Sequence, residues 1–95
     1  MAIKILLKRQ FTEDKSDVLK ELIDRMRSSV TGQPGYISGE TLRRIDQPGE
    51  FLVISKWHSR GDWERWFEGA ERANIQKKID DLLGSSTVYE IYEYE

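Results

Sequence analysis

Apolar and polar positions along this chain recur with two different periods, which distinguishes strands from helices. From Ile3 to Phe11 apolar side chains recur at every second residue, a pattern typical of a strand. From Lys15 to Thr31 they recur every three or four residues and fall on one side of a helical wheel, which predicts an amphipathic helix. The short, mostly apolar run from Phe51 to Ser55 predicts a central strand that is buried on both faces.

A helix is predicted directly after this central strand. Ser59 stands three residues before Asp62, a spacing that allows a capping box at the start of a helix. Gly69 interrupts this helix, and a further helix with its own apolar stripe ends at Gly84. Helical spacing places three aromatic side chains of the first of these helices on its inward side: Trp63, Trp66 and Phe67.

Two further strands complete the predicted fold, from Gly35 to Ile45 and from Thr87 to Tyr94. The resulting order, βαββαβ, predicts an α+β protein in which one antiparallel sheet carries its helices on one face, as in the ferredoxin-like plait. We expect one domain over residues 1–95. Because the strands are apolar on both faces, we expect a second copy to cover the open face and form a homodimer.

Composition narrows the classes of partner. The net charge of -2 gives no cationic excess, which argues against a nucleic-acid partner. Cysteine is absent, which excludes disulfides and thiolate metal sites. No signal sequence or membrane span is evident, so we expect a cytoplasmic protein that does not interact with membranes.

The aromatic cluster has two readings that the sequence leaves open, because an indole packed in a core and an indole lining a cavity have the same spacing. Other chemistries have little support. No Ser-His-Asp grouping, glycine-rich phosphate loop or metal-ligand spacing is evident, so no metal site is predicted. We interpret His58, the single histidine, as a solvated loop residue.

Two segments carry a resemblance to a known family: QPGYISGE at residues 33–40, and VISKW at residues 53–57 followed by Trp63 and Trp66. Over nearly its whole length the chain resembles the antibiotic biosynthesis monooxygenase domain. The resemblance implies a dimeric α+β barrel. Members of this family include cofactor-independent oxygenases acting on quinols and polycyclic phenols, haem-degrading enzymes, and small proteins of unknown activity.

The haem-degrading branch of the family is the less favoured expectation. Trp66 matches its tryptophan, but Gln76 stands at the position of its histidine and Lys8 at the position of its first-strand asparagine. An amide is a much weaker axial ligand than an imidazole.

Oxygenation without a cofactor requires a dry cavity and a group that stabilises an oxyanion, because a deprotonated quinol or phenol can itself reduce O2. We therefore predict a monooxygenase that needs no cofactor and binds a small aromatic molecule, with Lys8 and Trp66 as catalytic residues and Arg9 as the alternative cation. The predicted substrate-binding residues are Tyr36, Trp63, Phe67, Asn74 and Gln76. The alternatives are a non-catalytic module that binds or senses a small aromatic compound, and a structural dimer domain with a filled core.

Overall fold

The computed structural model describes residues 1–10, 16–84 and 87–95 of the chain. These residues form four strands and three helices, which confirms the predicted α+β order with two helices before the last strand. The elements are β1 (Ile3–Gln10), α1 (Ser16–Thr31), β2 (Tyr36–Arg43), β3 (Glu50–Trp57), α2 (Arg60–Phe67), α3 (Ala70–Leu83) and β4 (Tyr89–Glu93).

The four strands form one antiparallel sheet in the order β2-β3-β1-β4. The central position predicted for β3 is therefore confirmed. In β1 the side chains of Ile3, Ile5 and Arg9 are buried, whereas Lys4 and Lys8 are exposed. Because alternate residues of a strand point to opposite faces, this pattern shows which face of the sheet the helices cover.

Two groups of buried side chains hold the helices in place. One group joins the sheet to α2 through Ile3, Ile5, Trp57 and Trp63. The other group joins α1 to α3 through Leu19, Leu22, Ile75 and Ile79. Full burial of one such side chain stabilises the fold by about 1.5–3 kcal/mol, so these residues hold the three helices in fixed positions.

The start of α2 lies against the start of β2. Ser59 caps the helix as predicted, because its Oγ accepts from the backbone N–H of Asp62 at 3.2 Å. The backbone N–H of His58 donates to the carbonyl oxygen of Gly35 at 2.8 Å. Gly35 has a φ of 85°, and a methyl group at this position would overlap the Asp62 side chain. Glycine is therefore required for this close approach between the two elements.

One surplus residue interrupts the pairing of β2 with β3. Tyr36 lies opposite Trp57 and Ser38 lies opposite Lys56, so Ile37 forms a bulge between them. Gly39, two residues after the bulge, allows a close approach instead, because a methyl group there would overlap the hydroxyl of Tyr36.

Several predicted boundaries differ from those of the structure. β2 ends at Arg43 rather than at Ile45, because the side chain of Arg44 binds Asp46 in the following turn and Glu50 at the start of β3. β3 is longer than predicted. β4 starts two residues later than predicted, because the Thr87 hydroxyl is bound by side chains of α3. The predicted strand end at Phe11 and helix start at Lys15 lie outside the described residues.

Among the helices described, none combines the length and the hydropathy needed to cross a membrane.

Candidate functional site

A cavity of about 430 Å³ lies between α1 and the helix-covered face of the sheet. Its aromatic wall is formed by Tyr36, Trp57 and Trp66. The rings of Tyr36 and Trp57 meet edge to face, with centroids 5.3 Å apart. The hydroxyl of Ser55 accepts from Nε1 of Trp57 at 3.1 Å, so this indole N–H is already satisfied. Burial raises the pKa of the Tyr36 phenol, which therefore stays protonated at neutral pH.

Arg9 supplies a buried cation to this cavity. Its side chain is only 6% exposed and contributes to the cavity lining. Its Nε atom is buried and has no hydrogen-bond partner within the described part of the chain. Burial lowers the pKa of Arg9, which is the largest influence on it, while the nearby Tyr89 and Asp80 act to raise it. A buried donor without a partner is costly, and such groups often mark a binding or catalytic site.

Lys8, the cation preferred in the sequence analysis, does not lie in this cavity. It is exposed on the opposite face of the sheet, where it borders a depression with Leu42 and Leu52. The physical reason is the alternation of β1, because the buried Ile3 and Ile5 place Arg9 on the helix side and Lys8 on the other side. The structure therefore brings Arg9 and Trp66 together, not Lys8 and Trp66.

Trp63 and Phe67 belong to a packed cluster beside the cavity rather than to its lining. Their ring centroids lie 4.9 Å apart, and the ring of Tyr89 meets Phe67 edge to face at 5.1 Å. The guanidinium of the buried Arg72 lies 3.9 Å from the centroid of the Phe67 ring. This cation–π contact and the ring contacts fix α2 against α3 and β4.

Gln76 is also buried, but its amide is fully engaged. Its Nε2 donates to Oδ1 of Asp80 at 2.9 Å and to the hydroxyl of Thr87 at 2.7 Å. Its Oε1 accepts from the hydroxyl of Tyr89 at 3.0 Å, and Arg72 donates to that same hydroxyl. Gln76 therefore acts as a link between α3 and β4 and has no free group directed at a ligand.

The three positions compared with the haem-degrading branch do not converge. Trp66 lines the cavity, Gln76 is bound within the neighbouring network, and Lys8 lies on the opposite sheet face. The residues present thus do not fit a haem site.

The last predicted residue, Asn74, is exposed and lies in a wide groove of about 780 Å³ between α1 and α3. This groove is separate from the aromatic wall and is bordered mainly by charged side chains. His58 is exposed, as interpreted from the sequence. The described residues contain no group of three or more His, Asp or Glu side chains placed to hold a metal ion.

Sequence reasoning missed Arg27, which lines the cavity from α1. Its Nη2 donates to the hydroxyl of Thr41 on β2 at 2.6 Å. Arginine on a helix is usually solvated, and the side chain of Arg27 is 57% exposed in the structure. However, it follows Ile23 by four residues and precedes Val30 by three, which places it beside the apolar stripe of the helix.

Comparisons with known proteins agree with this architecture. Protein SchA of Streptomyces halstedii is 18% identical over 81 residues, covering 85% of this chain and 21% of SchA, so the chain spans about a fifth of that relative. A conserved protein from Methanosarcina mazei Go1 superposes with a TM-score of 0.90 at 17% identity, over 100% of this chain and 94% of the other. SnoaB, a cofactor-independent oxygenase from Streptomyces nogalater, superposes with a TM-score of 0.84 at 13% identity, over 99% and 93%.

These structural likenesses establish the fold, including the ferredoxin-like arrangement predicted from the order of elements. The family described as antibiotic biosynthesis monooxygenase matches residues 2–78, which is most of the sequence. The chain therefore belongs to the antibiotic biosynthesis monooxygenase family.

Proposed function

We propose that this protein is a cofactor-independent monooxygenase that oxidises a small quinol or phenol with O2 in the cavity between α1 and the sheet. The observation that carries the proposal is the combination, in one cavity, of an aromatic wall with the buried guanidinium of Arg9 and its unpartnered Nε. Membership of the family supports it, as does the fold shared with SnoaB, which is itself described as a cofactor-independent oxygenase.

The size and lining of the cavity suit an aromatic substrate. Its volume of about 430 Å³ lies within the range of about 300–1,000 Å³ found for small-molecule sites. Trp66 and Tyr36 offer ring faces and edges for stacking, while Met26 and Val53 provide apolar surface. Such a lining binds a flat ring and limits the access of water to it.

In the proposed reaction the substrate itself supplies the electrons. The positive charge of Arg9 favours the phenolate over the phenol, and the phenolate reduces O2 at the ring carbon para to its oxygen. A C–O bond forms at that carbon, and the O–O bond then breaks. One oxygen atom remains as the second carbonyl of a quinone, and the other leaves as water with the phenolic hydrogen and the para hydrogen. The phenol loses four electrons, which together reduce both atoms of O2, so phenol and O2 yield quinone and water.

In this scheme Arg9 is a catalytic residue that contacts the substrate oxygen, and Trp66 positions the ring. The hydroxyl of Tyr36 is a candidate hydrogen-bond donor to a substrate oxygen, because its raised pKa keeps the proton in place. The roles of Trp63, Phe67 and Gln76 in the proposal are indirect, since they hold α2 and α3 beside the cavity.

A second copy of this chain is the proposed cover for the open face of the sheet. The face carries Leu6, Leu52 and Ile54, all partly buried, and Leu42, which is 47% exposed. Apolar surface of this kind is stabilised by burial against an identical face related by a twofold axis. Light scattering should give the mass of a dimer, and Leu52→Lys should shift it to that of a monomer. A monomer at high protein concentration in the unchanged chain would contradict this arrangement.

The activity is tested by following O2 uptake with a panel of reduced quinols and hydroxyanthrones. Arg9→Met and Lys8→Met remove one cation each from adjacent positions of β1, so together they decide which cation acts. We expect Arg9→Met to lower kcat/KM at least about tenfold, equivalent to about 1.4 kcal/mol of transition-state stabilisation. Lys8→Met should retain the rate of the unchanged chain. Loss of activity only in Lys8→Met would restore the expectation drawn from the sequence.

The main alternative is a non-catalytic module that binds or senses a small aromatic compound in the same cavity. Saturable quenching of tryptophan fluorescence without accelerated O2 uptake by any member of the panel would favour this alternative. Absence of both signals would favour a structural role and overturn the proposal.

A further inference from the structure

The cavity has a second cation at its solvent end. The side chain of Arg27 lines the cavity yet is 57% exposed, in contrast to the buried Arg9. Its bond to Thr41 holds the guanidinium across the gap between α1 and β2. Its ion pair with Asp24 is long, with 3.9 Å between Nη1 and Oδ1. Most of the charge of Arg27 is therefore available to a group bound in the cavity.

No carboxylate side chain within the described ranges balances these two cations from inside the cavity. Glu40 contributes to the lining, but it lies opposite Ile54 in the register, between Gly39 and Thr41. Because strand residues alternate, the Glu40 side chain projects from the other face of the sheet. There it borders a separate depression, whose lining includes Lys4 and Lys56. Two arginine residues thus contribute to the cavity lining, Arg9 buried and Arg27 largely exposed.

We propose that the substrate is an aromatic acid, whose carboxylate binds Arg27 at the open end while its reacting ring oxygen lies at Arg9. This inference rests on the proposed function and names the substrate class of the same cavity. A guanidinium presents a planar pair of donors that matches a carboxylate. An acid group at the solvent end keeps most of its hydration, whereas the ring becomes buried against Trp66. Arg27 is then the residue that selects acids over neutral analogues.

The test uses two unreactive probes that differ in one group, anthraquinone-2-carboxylate and anthraquinone-2-carboxamide. Both are already oxidised, so their binding is measured without turnover, by quenching of tryptophan fluorescence and by calorimetry. We expect the unchanged chain to bind the acid at least about tenfold more tightly than the amide, as expected for one charge-assisted contact. This preference should shrink as the salt concentration rises.

Three variants separate the charge of Arg27 from its structural contact. Arg27→Gln should lower the affinity for the acid at least about tenfold and the affinity for the amide much less, so that the preference for the acid is lost. Lys20→Gln removes an exposed cation of the same helix that does not line the cavity, and it should keep the preference. Thr41→Val removes the bond to Arg27 but keeps the guanidinium, so it should also keep most of the preference.

Each contrary result overturns the inference. Equal affinity of the unchanged chain for the acid and the amide would show that Arg27 does not bind the acid group. Equal weakening of both probes by Arg27→Gln would show that the residue only ties α1 to β2. In either case, amide binding together with O2 uptake by neutral quinols would leave the proposed function standing. Absence of binding by either probe, with no O2 uptake, would overturn both.

Discussion

Replacing Arg9 by methionine removes a buried charge while keeping an unbranched side chain of similar apolar length. In the unchanged chain Arg9 is 6% exposed, and its Nε has no partner within the described residues. A buried donor left unpaired costs about 1–3 kcal/mol, and a charged group costs more. We therefore expect Arg9→Met to increase the free energy of unfolding by about 1 kcal/mol or more, although it removes an interaction with the proposed substrate.

Unfolding in urea and on heating measures this change. For a domain of this size each kcal/mol corresponds to about 4–8 °C in Tm, so the variant should unfold at least about 4 °C higher. Lys8→Met is the matched comparison, because it removes the same charge from the exposed face of β1, where we expect a change within about 0.5 kcal/mol. Gain of stability with loss of activity is the pattern expected of a residue kept for function.

A destabilised Arg9→Met would refute this reasoning. Such a result would mean that the guanidinium contributes more through its attraction to the Asp80 carboxylate than its burial costs. Arg9 would then be a structural cation.

Three further predictions concern the surroundings of the cavity. Gly35→Ala should destabilise the fold by about 2 kcal/mol or more in urea, because its φ is positive and a methyl group would overlap a side chain of α2. Gly32→Ala, with open space around it, should change the stability little, and equal effects of the two changes would contradict this reasoning. Gly39→Ala should displace the Tyr36 hydroxyl and weaken ligand binding severalfold with little loss of stability, and unchanged affinity would count against a role for that ring. Tyr89→Phe should lose about 1–2 kcal/mol at pH 7, because its hydroxyl bonds are removed. Burial raises the pKa of Tyr89, so its contribution to the free energy of unfolding is complete below about pH 10 and is lost as the pH rises through the folded-state pKa. Tyr89→Phe should therefore lose less stability above pH 10 than the unchanged chain, and an equally steep loss in both would contradict this.

The arrangement of strands and helices could be predicted because it depends on local periodicity. The apolar run that became β3 indicated its central place, and the spacing of Ser59 and Asp62 fixed the start of α2. The alternation of β1 also contained the information that Arg9, not Lys8, lies under the helices. Lys8 and Arg9 were both candidate cations from the sequence, with Lys8 preferred. The pleat of the strand places Arg9 on the helix-covered face and Lys8 on the other.

The cavity lining could not be predicted, because it depends on which elements meet. Trp63 and Trp66 share one side of α2 in the sequence pattern. In the structure, however, β1 and β4 cover Trp63, while Trp66 lines the gap beside α1. The bonds of Gln76 to Thr87 and Tyr89 form across the connection from α3 to β4, and spacing along the chain carries no signal for them. Such contacts follow only from the packed positions of whole elements.

The bulge at Ile37 determines which chemical group the edge strand presents to the cavity. With regular pairing, the residue opposite Trp57 would be Ile37, and an alkyl group would replace the phenol of Tyr36 in the wall. A single inserted or deleted residue before Ser38 thus exchanges a hydrogen-bonding surface for an inert one without rearranging the rest of the sheet. Relatives that share this fold can therefore diverge in the molecules they accept through a change in backbone length alone, with every other wall residue kept.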